Sequence, residues 1–261
     1  MDSKFLFFDT ETTDVQSKDI IQLAFTNDKD ITFNQYFKPQ NRIAYSAMAV
    51  HHITPEFLED KNTFEDALID EKYKNNEFNG KTLKDYLNFL GQKYIWVAHN
   101  VEFDLEVLQK KGIIINKYIC TYKLARNLFY DESTGGDIES YSLQFLRYYL
   151  GLYKNEGIEH NTAHDAMSDV FFLRDLFKYI LEHSKFTVEQ MLMITKQPAI
   201  IRNISFGKYA GRTLEDIAKL DREYLEWLRE TVTDRPDLVW NIDRVLSMQD
   251  IGEGLFGSRW L

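Results

Sequence analysis

The chain has 261 residues, 44% hydrophobic and 15% aromatic, with a formal net charge of −10. This is the make-up of a globular protein with one sizeable core and room for a small second domain, and it excludes a disordered or low-complexity chain. Apolar runs such as VFFLRDLF are broken by charge well short of the roughly 18 residues a bilayer span needs, so no membrane association is expected.

Residues 4–8, 20–26 and 31–37 read as strands joined by short turns, NDKD being a hairpin-like connection. KYIWVAHN is a further buried strand, and EFDLEVLQKKG then shows helical periodicity with Gly112 as its stop. INKYIC reads as a short strand, TYKLARNLF as a helix and YDESTGGDIES as a loop. SYSLQFLRYYLGL and TAHDAMSDVFFLRDLFKYILEH are amphipathic helices. Strands leading into helices predict an α/β fold with a sheet of mixed strand directions. The composition shifts after His183, where a helix TVEQMLMI, a turn near Pro198 and the segment ISFGKYAGRTLEDIAKLDREYLEWLRE outline a small unit with its own aromatic core. Within it Gly207 and Gly211 bracket a turn and Asp221 is placed to cap the following helix. The expected domains are residues 1–183 and 184–261.

The first strand runs into KFLFFDTETTD, where Asp9 and Glu11 stand two apart and so share a face. Two half-buried carboxylates side by side repel, and a divalent cation between them relieves the repulsion, although an ordinary solvated strand end has the same spacing. Asp104 opens a helix after a buried strand, and HNTAHDAMSDV places His160 and Asp165 five apart at the start of another. The pair His164 and Asp169 has the same spacing. Four carboxylates and a histidine from strand and helix ends can hold two Mg²⁺ or Mn²⁺ ions, which prefer oxygen ligands. The acidic balance argues against coating nucleic acid through a broad basic surface but not against gripping one strand end through bound ions. The single cysteine, Cys120, excludes an internal disulfide and should pack in the core. With no signal-peptide pattern at the start, a cytoplasmic protein is expected.

The D-x-E pair, the HNVEFD stretch and the H-x4-D spacing together resemble the DEDDh family of 3′→5′ exonucleases. SAMAVHHIT, WVAHNVEFD, ICTYKLAR, TVEQMLMIT and FGKYAGRTLEDIAKLDREYLEWL narrow the likeness to the exodeoxyribonuclease X-like branch, from about Phe5 to about Leu228. The resemblance implies a ribonuclease H-like mixed sheet flanked by helices, followed by a small C-terminal module. It implies metal-dependent release of 5′-mononucleotides from DNA 3′ ends, single-stranded or frayed, in repair or end trimming. RNA 3′ ends are the rival substrate, and a non-catalytic binding module is the rival class.

By the same resemblance Asp9, Glu11, Asp104 and Asp165 are the metal ligands and His160 the general base. AHDAMSDV is similar to the matching segment of exonuclease I-like members in a way that favours this register over His164 and Asp169. Thr10, Thr12, Asn100 and Phe103 join the substrate-binding set from the two acidic motifs. His51 and Ile53 come from AMAVHHITPE, which matches a loop lining the terminal nucleotide pocket. Val15 and Gln16 stand where relatives carry a residue that stacks on the terminal base, while Asp14 replaces a common glycine. Lys208, Tyr209 and Arg212 are placed to touch DNA from the C-terminal module. In the tail QDIGEGLFGSRWL, Gly252 and Gly254 disfavour a continued helix, and GEGLF is similar to peptides that dock into a bacterial sliding clamp, with Gly252 where glutamine is usual. Folding of Leu255, Phe256 and Trp260 back onto the enzyme is the alternative.

Overall fold

The computed structural model describes residues 4–27, 29–69, 81–155 and 165–256, the side chains of 155 and 249–256 excepted. Its five strands are β1 (Phe5–Thr12), β2 (Ile20–Thr26), β3 (Thr32–Tyr36), β4 (Ile95–Ala98) and β5 (Tyr118–Cys120), and the sheet order is β3-β2-β1-β4-β5. β1 pairs antiparallel with β2 and parallel with β4, giving the mixed α/β sheet expected from the sequence. The helices are α1 (Tyr45–His51), α2 (Pro55–Leu58), α3 (Leu83–Lys93), α4 (Val101–Lys110), α5 (Thr121–Leu128), α6 (Leu143–Tyr149), α7 (Ala166–His183), α8 (Val188–Lys196), α9 (Leu214–Leu220), α10 (Arg222–Thr231) and α11 (Pro236–Phe256). Among the described residues, no helix is long and apolar enough to cross a membrane.

The chain divides into two compact units, Met1–Tyr122 with Ser142–Leu192, and Lys123–Tyr141 with Met193–Leu261. This differs from a single cut after residue 183, because residues 123–141 return to the C-terminal segment. Asp137 explains the return: its carboxylate pairs with Arg126 at 2.8 Å and accepts from the backbone N–H of Arg202 at 3.0 Å.

In the first unit, β1 is central and buried on both faces, which accounts for its unbroken FLFF run. Alternation sends Phe5 and Phe7 to the face covered by α7, where both meet the edge of Phe177. Phe8 points the other way, onto Trp96 of β4. Asp9 and Glu11 continue the Phe5–Phe7 side, so the packing of two phenylalanines under α7 determines where two carboxylates emerge. Cys120 is buried, as expected. AMAVHHITPE is not a loop: it forms α1 and α2, with Thr54 capping α2 by accepting from the Phe57 N–H. The change to a left-handed residue falls on His52, at φ 59°.

In the second unit α9, α10 and α11 surround a core that includes Leu214, Ile217, Leu225, Leu228, Leu238 and Ile242. Gly207 and Gly211 carry positive φ in the turn that leads to α9, and Asp221 caps α10 by accepting from the Tyr224 N–H at 3.2 Å. The helix α11 does not end before Gly252 but runs through Gly252 and Gly254. A glycine costs a helix only about 1 kcal/mol relative to alanine, too little to stop one anchored by Leu238, Ile242 and Val245.

Asn100 joins β4 to α4 in the left-handed region, at φ 60° and ψ 50°, without a side-chain cap bond. Asparagine tolerates this conformation and alanine does not. Asn100→Ala should therefore lower stability in denaturant by about 1 kcal/mol, and Asn100→Gly by much less. Equal losses would show that the side chain, not the backbone, matters there.

Candidate active site

Carboxylate oxygens of Asp9, Glu11 and Asp169 lie within 4.8 Å of one another. The first two hang from the α7 face of β1, and Asp169 stands in the first turn of α7 itself. Asp104 comes from the first turn of α4 and is buried against Thr10, whose N–H and hydroxyl both donate to its Oδ1, at 3.1 and 2.6 Å. The left-handed turn at Asn100 brings that helix start back over the end of β1.

The electrostatics of this cluster are those of several carboxylates crowded together in a buried place. Burial raises Asp9 well above the carboxylate range, with Asp104, Glu11 and Asp169 adding to it. Burial, then Asp169 and Asp104, push Glu11 up to about 8. Burial raises Asp104 to about 7 against the lowering effect of its Thr10 hydrogen bonds. An all-oxygen donor set whose carboxylates repel one another this strongly suits a hard divalent cation.

Asp165, assigned as a ligand from the sequence, borders the cluster and is held by several donors. It is the N-cap of α7: Oδ2 accepts from the N–H and hydroxyl of Ser168 at 3.2 and 3.3 Å. Oδ1 accepts from Gln22 Nε2 at 2.7 Å and from the Tyr36 hydroxyl at 3.0 Å. Glu11, Gln22 and Tyr36 form one row across β1, β2 and β3 by strand register. Asp165 docks at the Gln22–Tyr36 end of that row, which sets Asp169, one turn later, over its acidic end. Burial, then the Asp165 charge, raises the Tyr36 hydroxyl above its ordinary range, so it remains a donor. Asp169 is itself held by Gln144 Nε2 of α6 at 2.8 Å. Asp169 thus joins Asp9 and Glu11 in the cluster, while Asp165 stands close enough for its charge to raise both of those acids. His160 and His164 both lie outside the described residues.

Gln22, Tyr36 and Gln144 were missed in the sequence. Only Gln22 left a signal there, as the polar side chain in the middle of the apolar run IIQLAF.

The remaining candidates are placed as follows. The Thr10 and Thr12 hydroxyls are committed to protein acceptors, Asp104 and the Asp14 carbonyl. Asp14 organises the turn after β1, accepting from the N–H groups of Gln16 and Ser17, both at 2.6 Å, and from the Ser17 hydroxyl, which holds its pKa down. Val15 and Gln16 are exposed on that turn. Phe103 lies under the Lys18 ammonium, 4.7 Å from its ring centre. His51 is buried, and its Nδ1 accepts from the Ile53 N–H at 3.0 Å. Ile53 is buried beside Ile21, Ile43 and Leu58, so its side chain belongs to a core cluster rather than an open pocket. In the second unit, Lys208 and Tyr209 both bind Asp221, at 2.9 and 2.8 Å, while Arg212 is exposed.

A central β1 carrying two acids, with a third on the helix packed across it, is the arrangement of a metal-dependent nuclease, and residues 6–177 match the exonuclease family. The chain belongs to that family. Residues 204–230 match the exodeoxyribonuclease X-like C-terminal family. Exodeoxyribonuclease 10 of Escherichia coli K12 is 31% identical over 227 residues, covering 84% of this chain and 88% of the relative. DNA polymerase III subunit epsilon of Buchnera aphidicola subsp. Schizaphis graminum is 27% identical, covering 87% and 97%. Among solved structures, exonuclease X in complex with 5′ overhanging duplex DNA aligns at 24% identity with a TM-score of 0.49, covering 73% of this chain and 99% of that one. The protein is a divalent-metal-dependent exonuclease.

Asp169→Asn should lower hydrolysis by at least about 100-fold with the fold intact, since a lost ligand forfeits the metal geometry. Asp165→Asn should instead cost roughly 1–3 kcal/mol of stability while the protein still gains melting temperature on adding Mn²⁺. The opposite pattern would return Asp165 to the metal site.

The raised acids also fix a pH dependence. Glu11 titrates near 4.5 when unfolded and about 8 when folded without metal, so its contribution to stability is complete below 4.5 and is lost as pH rises through 8. Asp104 acts in the same direction up to about 7. The melting temperature in EDTA should fall across this window, and the gain on adding Mg²⁺ should be larger at its alkaline end. A flat profile would contradict the burial of these carboxylates.

Proposed function

We propose that the protein hydrolyses DNA from the 3′ end to 5′-mononucleotides, using Asp9, Glu11, Asp104 and Asp169 to hold two Mg²⁺ or Mn²⁺ ions. The convergence of Asp9, Glu11 and Asp169 carries this reading. Divalent ions held by these carboxylates would supply activation of water at neutral pH and stabilisation of the charge on the leaving 3′-oxygen. The acids supply the oxygen cage. With Asp169 in the ligand set, the H-x4-D spacing makes His164 the histidine that takes the proton from the attacking water. His160 pairs by the same spacing with Asp165, which is committed to capping α7.

DNA is preferred to RNA as substrate because the 31% identical relative is named an exodeoxyribonuclease and the likeness extends into the C-terminal module. Single-stranded or frayed ends, a role in repair or end trimming and a cytoplasmic setting are parts of the same proposal. Clamp docking through residues 252–256 gains nothing from the structure, since α11 continues as helix through that segment.

A 5′-labelled DNA oligonucleotide should yield a ladder shortening from its 3′ end in Mg²⁺ or Mn²⁺, with none in EDTA and slower attack on RNA of the same sequence. His164→Ala should slow the reaction by a factor on the order of 10²–10⁴, and His160→Ala far less. Faster digestion of the RNA would overturn the substrate assignment, and reversed histidine effects would overturn the register.

A further inference from the structure

The second unit encloses a cavity of about 290 Å³ that contains none of the acidic-site residues. Its walls include Arg202, Arg244 of α11, Glu215 at the start of α9, and the apolar Ile201 and Leu214. Two features give it positive and unsatisfied groups. Arg202 in its wall pairs with Asp137 at 3.4 Å, a carboxylate that Arg126 also engages at 2.8 Å. Arg244 Nε is buried with no hydrogen-bond partner, and the guanidinium's contact through Nη1 is a weak one, to Met248 Sδ at 4.0 Å. A buried donor left unpaired is costly, and an anion entering the cavity would relieve it.

We infer that this cavity is a second nucleotide-binding site, in which Arg244, supported by the positive charge of Arg202, receives a phosphate. Ile201 and Leu214 offer apolar wall to a sugar or base. The volume lies at the low end of the range for small-ligand pockets, enough for one nucleotide unit and too small for a duplex. Glu215 opposes the anion and sets the sign of one test. A phosphate group of this kind has two sources, a free 5′-mononucleotide or the internal phosphate of a DNA strand.

The two are separated by calorimetric titration of the full chain in EDTA with 5′-thymidylate and with the dinucleoside monophosphate TpT, which has only an internal phosphate. Saturable binding of either supports the site and names its source, provided that Arg244→Gln weakens it about tenfold or more and Glu215→Gln tightens it severalfold. Arg244→Gln should leave turnover of a short oligonucleotide unchanged, since Arg244 has no part in the acidic site. Because no metal is present and no turnover is needed in the titration, its result is independent of the exonuclease assignment. No binding of either probe by the wild-type protein, or equal binding by wild type and Glu215→Gln, overturns the inference even if Arg244→Gln fails to fold.

Discussion

Repulsion among Asp9, Glu11 and Asp169 is the constraint around which the first unit is arranged. Three carboxylates brought within 4.8 Å in a partly buried place are unfavourable for the metal-free chain. The sheet and α7 nevertheless hold them there, because Phe5 and Phe7 pack on Phe177 along the same face and leave the acids no other exit. Stability invested in the aromatic contact thus maintains a cluster of repelling acids that either proton uptake or a cation relieves.

The acids differ in how the surrounding protein treats them. Asp104 and Asp165 receive several hydrogen bonds each, from Thr10 in one case and from Gln22, Tyr36 and Ser168 in the other. Such bonds orient a carboxylate, and in Asp165 they occupy both oxygens. Glu11 has its pKa set by burial and like charges. The same bonds fix where the starts of α7 and α4 stand against the sheet. Tyr36 and Gln22 act through Asp165, and Gln144 through Asp169, so all three serve the site from its edge.

The second unit has its own core and its own charge logic. In the turn between Gly207 and Gly211, Lys208 and Tyr209 are held by Asp221, which also caps α10. Positive charge is concentrated instead around Asp137 and Arg244, in residues too far apart in the chain for any short motif to announce.

What the sequence alone determined was local: alternation placed Asp9 and Glu11 on one face, strand-helix succession made the fold α/β, and Asp221 and the Gly207–Gly211 turn were legible from capping and turn chemistry. Helix periodicity located α7 but not which of two equally spaced His–Asp pairs belonged to the site. Asp165 and Asp169 differ by one turn, and both precede the same apolar face. Only the tertiary structure separates their surroundings, because the row formed by Glu11, Gln22 and Tyr36 exists only once β1, β2 and β3 are in register. Where α7 docks on that row puts one carboxylate against hydrogen-bond donors and the other against two more carboxylates, a difference of long-range contact that no spacing within the chain encodes.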